Sequence, residues 1–258
     1  MFSLSNFFPD IAQMFSQFPQ LFTKTSGFFA EFAEMFEKTF IRDNRYLYFL
    51  EGLGNTLIIA IAATICGVII GIIVAITKVY HKQTGKLKIL NTIFEFYTTI
   101  IRGTPVVIQL LITYNIIFIA SNNAVLVGIF AFSINSGAYV SEIIRAGIMA
   151  VDPGQTEAGR SLGLSQSTTM ASIVMPQALK NVLPALGNEF IALLKETSVI
   201  GYLGVMDLTK AASIVISRTA SVYFPYISIA LIYLAMVYGL SAIFKKLERR
   251  MAKSDRNG

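Results

Sequence analysis

Charge is what this chain has least of. Only 14% of its 258 residues are Asp, Glu, Lys or Arg, against about 25% in an ordinary soluble domain, and 54% are hydrophobic. A mean hydropathy of +0.63 means more apolar surface than one core could hide from water, so a soluble globule and a disordered chain are both excluded and the bilayer must act as solvent for much of it. There is one cysteine, Cys66, inside an apolar run; a lone cysteine closes no intrachain bridge, which excludes a disulfide scaffold. Histidine is equally scarce. The one present, His81, lies in a basic stretch, where a solvated side chain is expected rather than a metal ligand. No HExxH, no cysteine pair and no Ser/His/Asp set occurs, so the chain itself is expected to perform no covalent chemistry.

What is abundant comes in long uncharged runs. Gly52 to Thr77 is 26 residues without a charge, enough for a helix that needs about 20 residues to cross the hydrocarbon layer. Within it, Gly67 and Gly71 form a GxxxG pattern that permits close helix approach. Gly103 to Ser141 is 39 uncharged residues interrupted by Ser121, Asn122 and Asn123, which fits two antiparallel helices. The first starts near Lys88 and meets Pro105, where the missing backbone donor predicts a bend or break; the second runs from about Ala124 to Met149. A fourth helix is expected over 181–203, carrying Glu189, Lys195 and Glu196, and a last one over 219–244, again 26 uncharged residues. The reading is an all-α, polytopic integral membrane protein with five transmembrane helices.

Five crossings place the termini on opposite sides, and the positive-inside bias orients them. Lys78, Lys82, Lys86 and Lys88, then Arg145, Arg160 and Lys180, then six cations from Lys245 to Arg256 fall on one side. The other side has only Lys210 and Arg218. The expected topology is therefore N-terminus outside and C-terminus cytoplasmic. The net charge of +6 is then a topology signal, which disposes of a nucleic-acid partner and leaves membrane lipid.

Residues 1–50 form a separate amino-terminal segment, residues 51–250 the membrane domain and residues 251–258 a tail. The start lacks the basic and compact apolar regions of a cleavable signal. Phe28, Phe32, Met35, Phe36 and Phe40 recur at helical spacing with Glu31, Glu34 and Glu37 opposite, which predicts an amphipathic helix on the rim of the bundle, with contact to an extracytoplasmic partner as the other reading.

The longest loop on the cytoplasmic side, 151–180, is not a linker. Asp152 reads as an N-cap and Pro153 as the first helical residue; a short helix follows to about Leu162 and Gly163 ends it. Small residues, Ala158, Gly159 and Ser161, sit beside the apolar anchors Leu162 and Leu164. Such a helix suits a groove in a partner. A phosphate loop is rejected, although Gly154-x4-Gly159-Arg160-Ser161 comes near one, because arginine replaces the lysine and no strand precedes it.

Glu157-Ala158-Gly159, three residues, Gly163, nine residues and Ile173-x-Met175-Pro176 resemble the EAA signature of ABC importer permeases, with Gly159 in place of the second alanine and Met175 in place of leucine. Arg102-Gly103-Thr104-Pro105, Ala138 to Ile143 and Leu193 to Ser198 are similar to phrases of the polar-amino-acid branch. The resemblance covers roughly residues 46–250 and implies a type I importer permease fold in which the loop helix is a coupling helix gripped by an ATPase through Glu157, Ala158, Gly159, Ser161, Leu162, Gly163 and Leu164. It further implies two ATPase subunits that hold ATP and Mg, a second permease subunit, the same or homologous, and an extracytoplasmic binding protein. No cofactor is expected in this chain.

Ionisable groups within the apolar spans remain. Arg102 and Glu142 lie at similar depth on the expected hairpin, 19 residues from Ser121 and Asn123 respectively. They read either as a structural clamp or as substrate contacts. A zwitterionic amino acid needs partners for both its charged ends once water is removed, which makes Arg102, Thr104, Gln109, Asn135, Glu142, Asn188, Glu189 and Lys195 the candidates for a substrate path. A permease for another small solute and an ion-coupled secondary carrier are the rival readings; the absence of a convincing repeat between the two halves disfavours the carrier.

Overall fold

The computed structural model describes residues 28–254; residues 1–27 of the amino-terminal segment and residues 255–258 of the tail, with Arg256, lie outside the described residues. All regular structure among the described residues is helical. The elements are α1 (Phe28–Phe36), α2 (Tyr46–Thr84), α3 (Lys88–Gly103), α4 (Val106–Ile112), α5 (Ala124–Met149), α6 (Pro153–Ser161), α7 (Gln166–Thr169), α8 (Met175–Glu196), α9 (Leu208–Thr219) and α10 (Tyr223–Ser254).

Three of these, α2, α5 and α10, are each long and apolar enough to cross a membrane, and two bent pairs bring the number to as many as five. One pair is α3 with α4 and its extension to Ile117, bent by 110°; the other joins Gln166–Leu203 to α9 at 49°. The sharper bend falls at Pro105, whose fixed ring and missing N–H stop α3 at Gly103. At 39 residues, α2 extends about 58 Å and outruns the hydrocarbon layer. It stops at Gly85, whose φ of +70° places the left-handed residue that a helix C-terminus favours. Ile58, Ile61, Ile65, Ile69, Ile72 and Ile76 are exposed along α2, as a lipid-facing flank requires.

The core is the crossing of α2 and α5. A Cβ on Gly67 would sit 2.8 Å from the Ser136 Cβ, one on Gly71 would overlap Val140, and one on Gly137 would stand 2.7 Å from Ile70. The GxxxG pattern is thus a seat for α5, and the two backbones approach as closely as small residues allow. On its other side α5 receives α8 and the turn after it, with Gly147 under Val182 of the helix and Gly128 under Ile200 of the turn.

Several boundaries differ from the sequence expectation. The fourth helix begins at Met175 rather than 181, and its last residues, Thr197–Leu203, tighten into a 3-10 turn. Lys210 and Arg218 lie on a helix, α9, rather than in a loop. The last helix begins at Tyr223 and continues to Ser254. Before α2, one ring of α1 meets the bundle, Phe32 edge-on against Phe224 at 5.3 Å, while Phe29 and Phe36 stay exposed; past the end of α1 the Phe40 ring touches both Phe49 and Phe224.

Candidate functional site: a charged seam, a polar stripe and a fastened loop helix

Asn135, Tyr139 and Glu142 follow one another at one-turn spacing on α5 and so face one direction. That direction is the broken arm α3–α4. At its near end, Gln109 donates through Nε2 to the carbonyls of Ile101 (2.7 Å) and Thr104 (3.0 Å) and to the Thr104 hydroxyl (2.8 Å). These are groups freed by the break at Pro105, and a lipid environment offers them no water. The Gln109 Oε1 accepts from the Asn135 Nδ2 at 3.0 Å. Gln109 therefore splices the broken arm and ties it to α5.

At the far end the seam is ionic. The expected Arg102–Glu142 clamp is only peripheral: the closest guanidinium nitrogen is 3.9 Å from Glu142, and Arg102 is 44% exposed and lies over the Tyr139 ring. The clamp is formed instead by Lys78, 3% exposed, whose ammonium donates to Glu142 Oε1 and to the Thr98 hydroxyl, both at 2.8 Å, and lies 3.4 Å from Glu95. Arg145 closes the other carboxylate oxygen with two hydrogen bonds of 2.9 and 2.8 Å. Three directions match the three donors of an ammonium, and opposite charge compensates its burial. In sequence Lys78 reads as the first of the cations that follow the first span. The signal against that reading is that α2 continues six residues beyond it without a break. Tyr97, whose hydroxyl donates to the Ile134 carbonyl at 2.5 Å, is a second seam residue with no sequence signature.

The structure thus gathers Arg102, Thr104, Gln109, Asn135 and Glu142 into one seam. Asn188, Glu189 and Lys195 stand apart, on α8. Asn188 and Lys195, seven residues apart, are both exposed on one face of that helix, while Glu189 is half-buried on the next.

The loop helix α6 starts and ends as its residues require. The Asp152 carboxylate accepts the Gly154 N–H at 2.8 Å, Pro153 occupies the first turn, and Gly163 takes a φ of +81° just beyond the end. The helix ends at Ser161, with Leu162 as its cap. Gly159 is buried against its own chain: a Cβ there would lie 2.7 Å from the Thr169 methyl and 2.9 Å from Ile173. Its smallness is consumed in packing α6 onto the turn 166–174, whereas the expectation assigned it to a partner. A Cβ on Gly163 would meet open space, so glycine there answers to backbone conformation and not to close approach. Glu157, Ala158, Ser161, Leu162 and Leu164 are exposed, Leu162 at 81%. Among the described residues no group of three metal-ligating side chains occurs, and the His81 Nδ1 lies 2.7 Å from the Lys86 carbonyl.

Comparison with known proteins places this geometry. Residues 37–253 match the family described as binding-protein-dependent transport system inner membrane component. The chain is 40% identical over 227 residues to the "Putative glutamine transport system permease protein GlnP" of Rickettsia bellii (strain RML369-C), covering 85% of this chain and 100% of that one. It is 37% identical to the arginine transport system permease protein ArtQ of Bacillus subtilis (strain 168), over 81% of this chain and 94% of that one. Among solved structures it is similar to an amino acid ABC transporter crystallised with histidines, with 43% identity, a TM-score of 0.75, and coverage of 82% of this chain and 98% of that one. The inward-facing MetNI methionine ABC transporter shares the fold at a TM-score of 0.66 and 17% identity. The resemblance read from Glu157 to Pro176 is borne out: the chain belongs to the binding-protein-dependent transport system inner membrane components, the membrane-embedded permease subunits of ABC importers.

Proposed function

We propose that this permease moves polar amino acids inward by alternating access, as one of two permease subunits, the same or homologous, served by two ATPase subunits and an extracytoplasmic binding protein. Glutamine and arginine, the solutes in the relatives' names, are the first candidates. Five crossings, with the N-terminus outside and the C-terminus in the cytoplasm, satisfy the placement of Lys and Arg. ATP hydrolysis belongs to the partner subunit, and this chain converts ATPase closure into helix movement.

The observation that carries the coupling role is that α6 is fastened on one side and bare on the other. Gly159 locks it to Thr169 and Ile173, so a push on α6 moves α8 without slack, while Leu162 stands 81% exposed on a chain end capped at Asp152 and Gly163. A stiff element held on both sides transmits rigid-body motion; a floppy loop does not. In this reading Glu157, Ala158, Ser161, Leu162 and Leu164 meet the ATPase, and Gly159 and Gly163 shape the helix that presents them. Closure of the ATPase dimer draws two such helices together and opens the path outward, and hydrolysis resets it.

The substrate path runs along the exposed polar face of α8, through Asn188 and Lys195 with Glu189 beside them, since a polar stripe at membrane depth faces a cavity or a protein partner rather than lipid. Arg102, with its exposed guanidinium, offers a second polar group on α3, apart from that face; Thr104, Gln109, Asn135 and Glu142 hold the broken arm to α5. Stimulation of ATP hydrolysis by individual amino acids in the reconstituted complex tests the reading. A response to glutamine or arginine supports it, and uptake that ignores ATP and follows an ion gradient refutes it.

A further inference from the structure

Beyond Lys195, α8 gives way at Thr197 to the 3-10 turn that carries Ser198 and Tyr202. There a cavity of about 430 Å³ opens between the turn Thr197–Leu203, α9 and the start of α10, lined by Ser198, Tyr202, Thr209, Lys210, Ser213 and Tyr226. Helix α9 is two-sided. Leu208, Ala211, Ala212 and Val215 are buried, while Lys210 lies half-buried and Ser213 exposed on the cavity side.

Lys210 is half-buried without a counter-ion: its ammonium makes no ion pair or hydrogen bond among the described residues. The neighbouring carboxylate, Asp207, is fully buried and occupied as the N-cap of α9, accepting the Lys210 and Thr209 N–H groups at 2.8 and 3.1 Å. The Lys210 ammonium borders the cavity and is free to pair with an anion entering it, and the hydroxyls around it suit an anion better than a hydrocarbon. Ser198, Tyr202 and Tyr226 can each donate a hydrogen bond. Ser213 already donates to the Thr209 carbonyl at 2.9 Å, which leaves its oxygen free to accept from an ammonium group.

We propose that this cavity is a carboxylate-capture site at the outer end of the path, in which Lys210 pairs with the α-carboxylate of the incoming amino acid while Ser198 and the two phenols donate to it and Ser213 accepts from its ammonium. The inference rests on the amino-acid reading and on the topology that puts α9 outside. It gives the permease its own selection for a free α-carboxylate, independent of the side chain carried.

The test is equilibrium binding of radiolabelled L-glutamine and L-arginine, each against its α-carboxamide, to the purified permease–ATPase complex without binding protein. The expected wild-type preference for the carboxylate is about ten- to a hundredfold, the range of one charge-assisted hydrogen-bonded contact. Lys210→Gln should bind acid and amide alike, and Lys210→Arg should restore most of the preference. A Lys210→Gln complex that keeps the preference overturns the assignment, as does one whose permease pair separates on size exclusion, since Lys210 would then be a subunit contact. A wild type that binds neither amino acid overturns this site and the amino-acid reading together.

Discussion

The ammonium of Lys78 and a carboxylate oxygen of Glu142 stand 2.8 Å apart across 64 residues of sequence, joining α2 to α5 at the end of the bundle that bears the loop helix. Thr98 and Glu95 bring α3 to the same ammonium. Three helices thus converge on one buried cation close to α6, so any movement delivered there must carry the cluster as a unit or break it.

The first prediction concerns that cluster. Removing the Lys78 ammonium takes the donor from Glu142 Oε1 and from the Thr98 hydroxyl, at about 1–3 kcal/mol for each buried group left unsatisfied, while Arg145 still holds the other carboxylate oxygen. Lys78→Met should therefore lower the thermal unfolding temperature of the detergent-solubilised complex strongly, whereas Arg102→Met, at an exposed and long contact, should change stability by less than about 1 kcal/mol. Glu142→Gln should resemble Lys78→Met, and the double variant should be less damaged than the sum of the two. Equal effects of Lys78→Met and Arg102→Met would show that the buried pair is not the clamp.

A second prediction follows from the α2–α5 crossing. Gly71 has Val140 where a side chain would begin, and the neighbour belongs to a β-branched residue on a helix with little room to shift. Gly71→Leu should prevent the helices from closing and reduce the yield of folded permease severalfold on size exclusion. Gly54→Leu, on the same helix but with nothing within 4 Å of its Cβ, should be tolerated. Similar yields for the two variants would mean that the crossing is looser than the geometry requires.

Much of this architecture is written locally. Uncharged runs reveal α2, α5 and α10; Pro105 marks the broken arm; Asp152, Pro153 and Gly163 delimit α6 within one residue. What escapes is set by distant neighbours. Lys78 looks like a solvated cation because its partners, Thr98 and Glu142, are 20 and 64 residues away. Gly159 belongs to a motif that implies contact with another protein, yet Thr169 and Ile173 of its own chain fill the space beside it. Gln109 reads as a free polar group at membrane depth, and only the folded break supplies the carbonyls of Ile101 and Thr104 that use its amide.

The third prediction tests Gln109 as a splice. Gln109→Ala leaves carbonyls at the break, and the Asn135 amide, without their donor or acceptor, at about 1–3 kcal/mol for each buried group left unsatisfied. Gln109→Glu keeps the acceptor for Asn135 but loses the donor to Ile101 and Thr104. Both should loosen α3 against α4, read as faster amide hydrogen exchange over 100–110, with the alanine variant faster than the glutamate. Unchanged exchange in both would show that Pro105 alone holds the arm.

The fourth prediction separates the two sides of α6. Leu162→Asp changes an 81% exposed side chain that packs on nothing within the chain, so the permease should fold as before and lose at least about tenfold in affinity for its ATPase subunit, the loss of one buried leucine being worth roughly 1.5–3 kcal/mol. Gly159→Val acts from the other side, driving a branched side chain into Thr169 and Ile173, and should displace α6 from the turn 166–174 that leads into α8. Its ATPase subunit can still bind the displaced helix, but the link to the membrane helices is broken. The expected phenotype is therefore ATP hydrolysis no longer stimulated by amino acid, with the complex intact on co-purification. Gly163→Ala has room for its methyl but must hold a φ of +81°, at about 1–2 kcal/mol, and should fall between the two. If Leu162→Asp leaves co-purification of the ATPase unchanged, the exposed face of α6 is not the surface it grips.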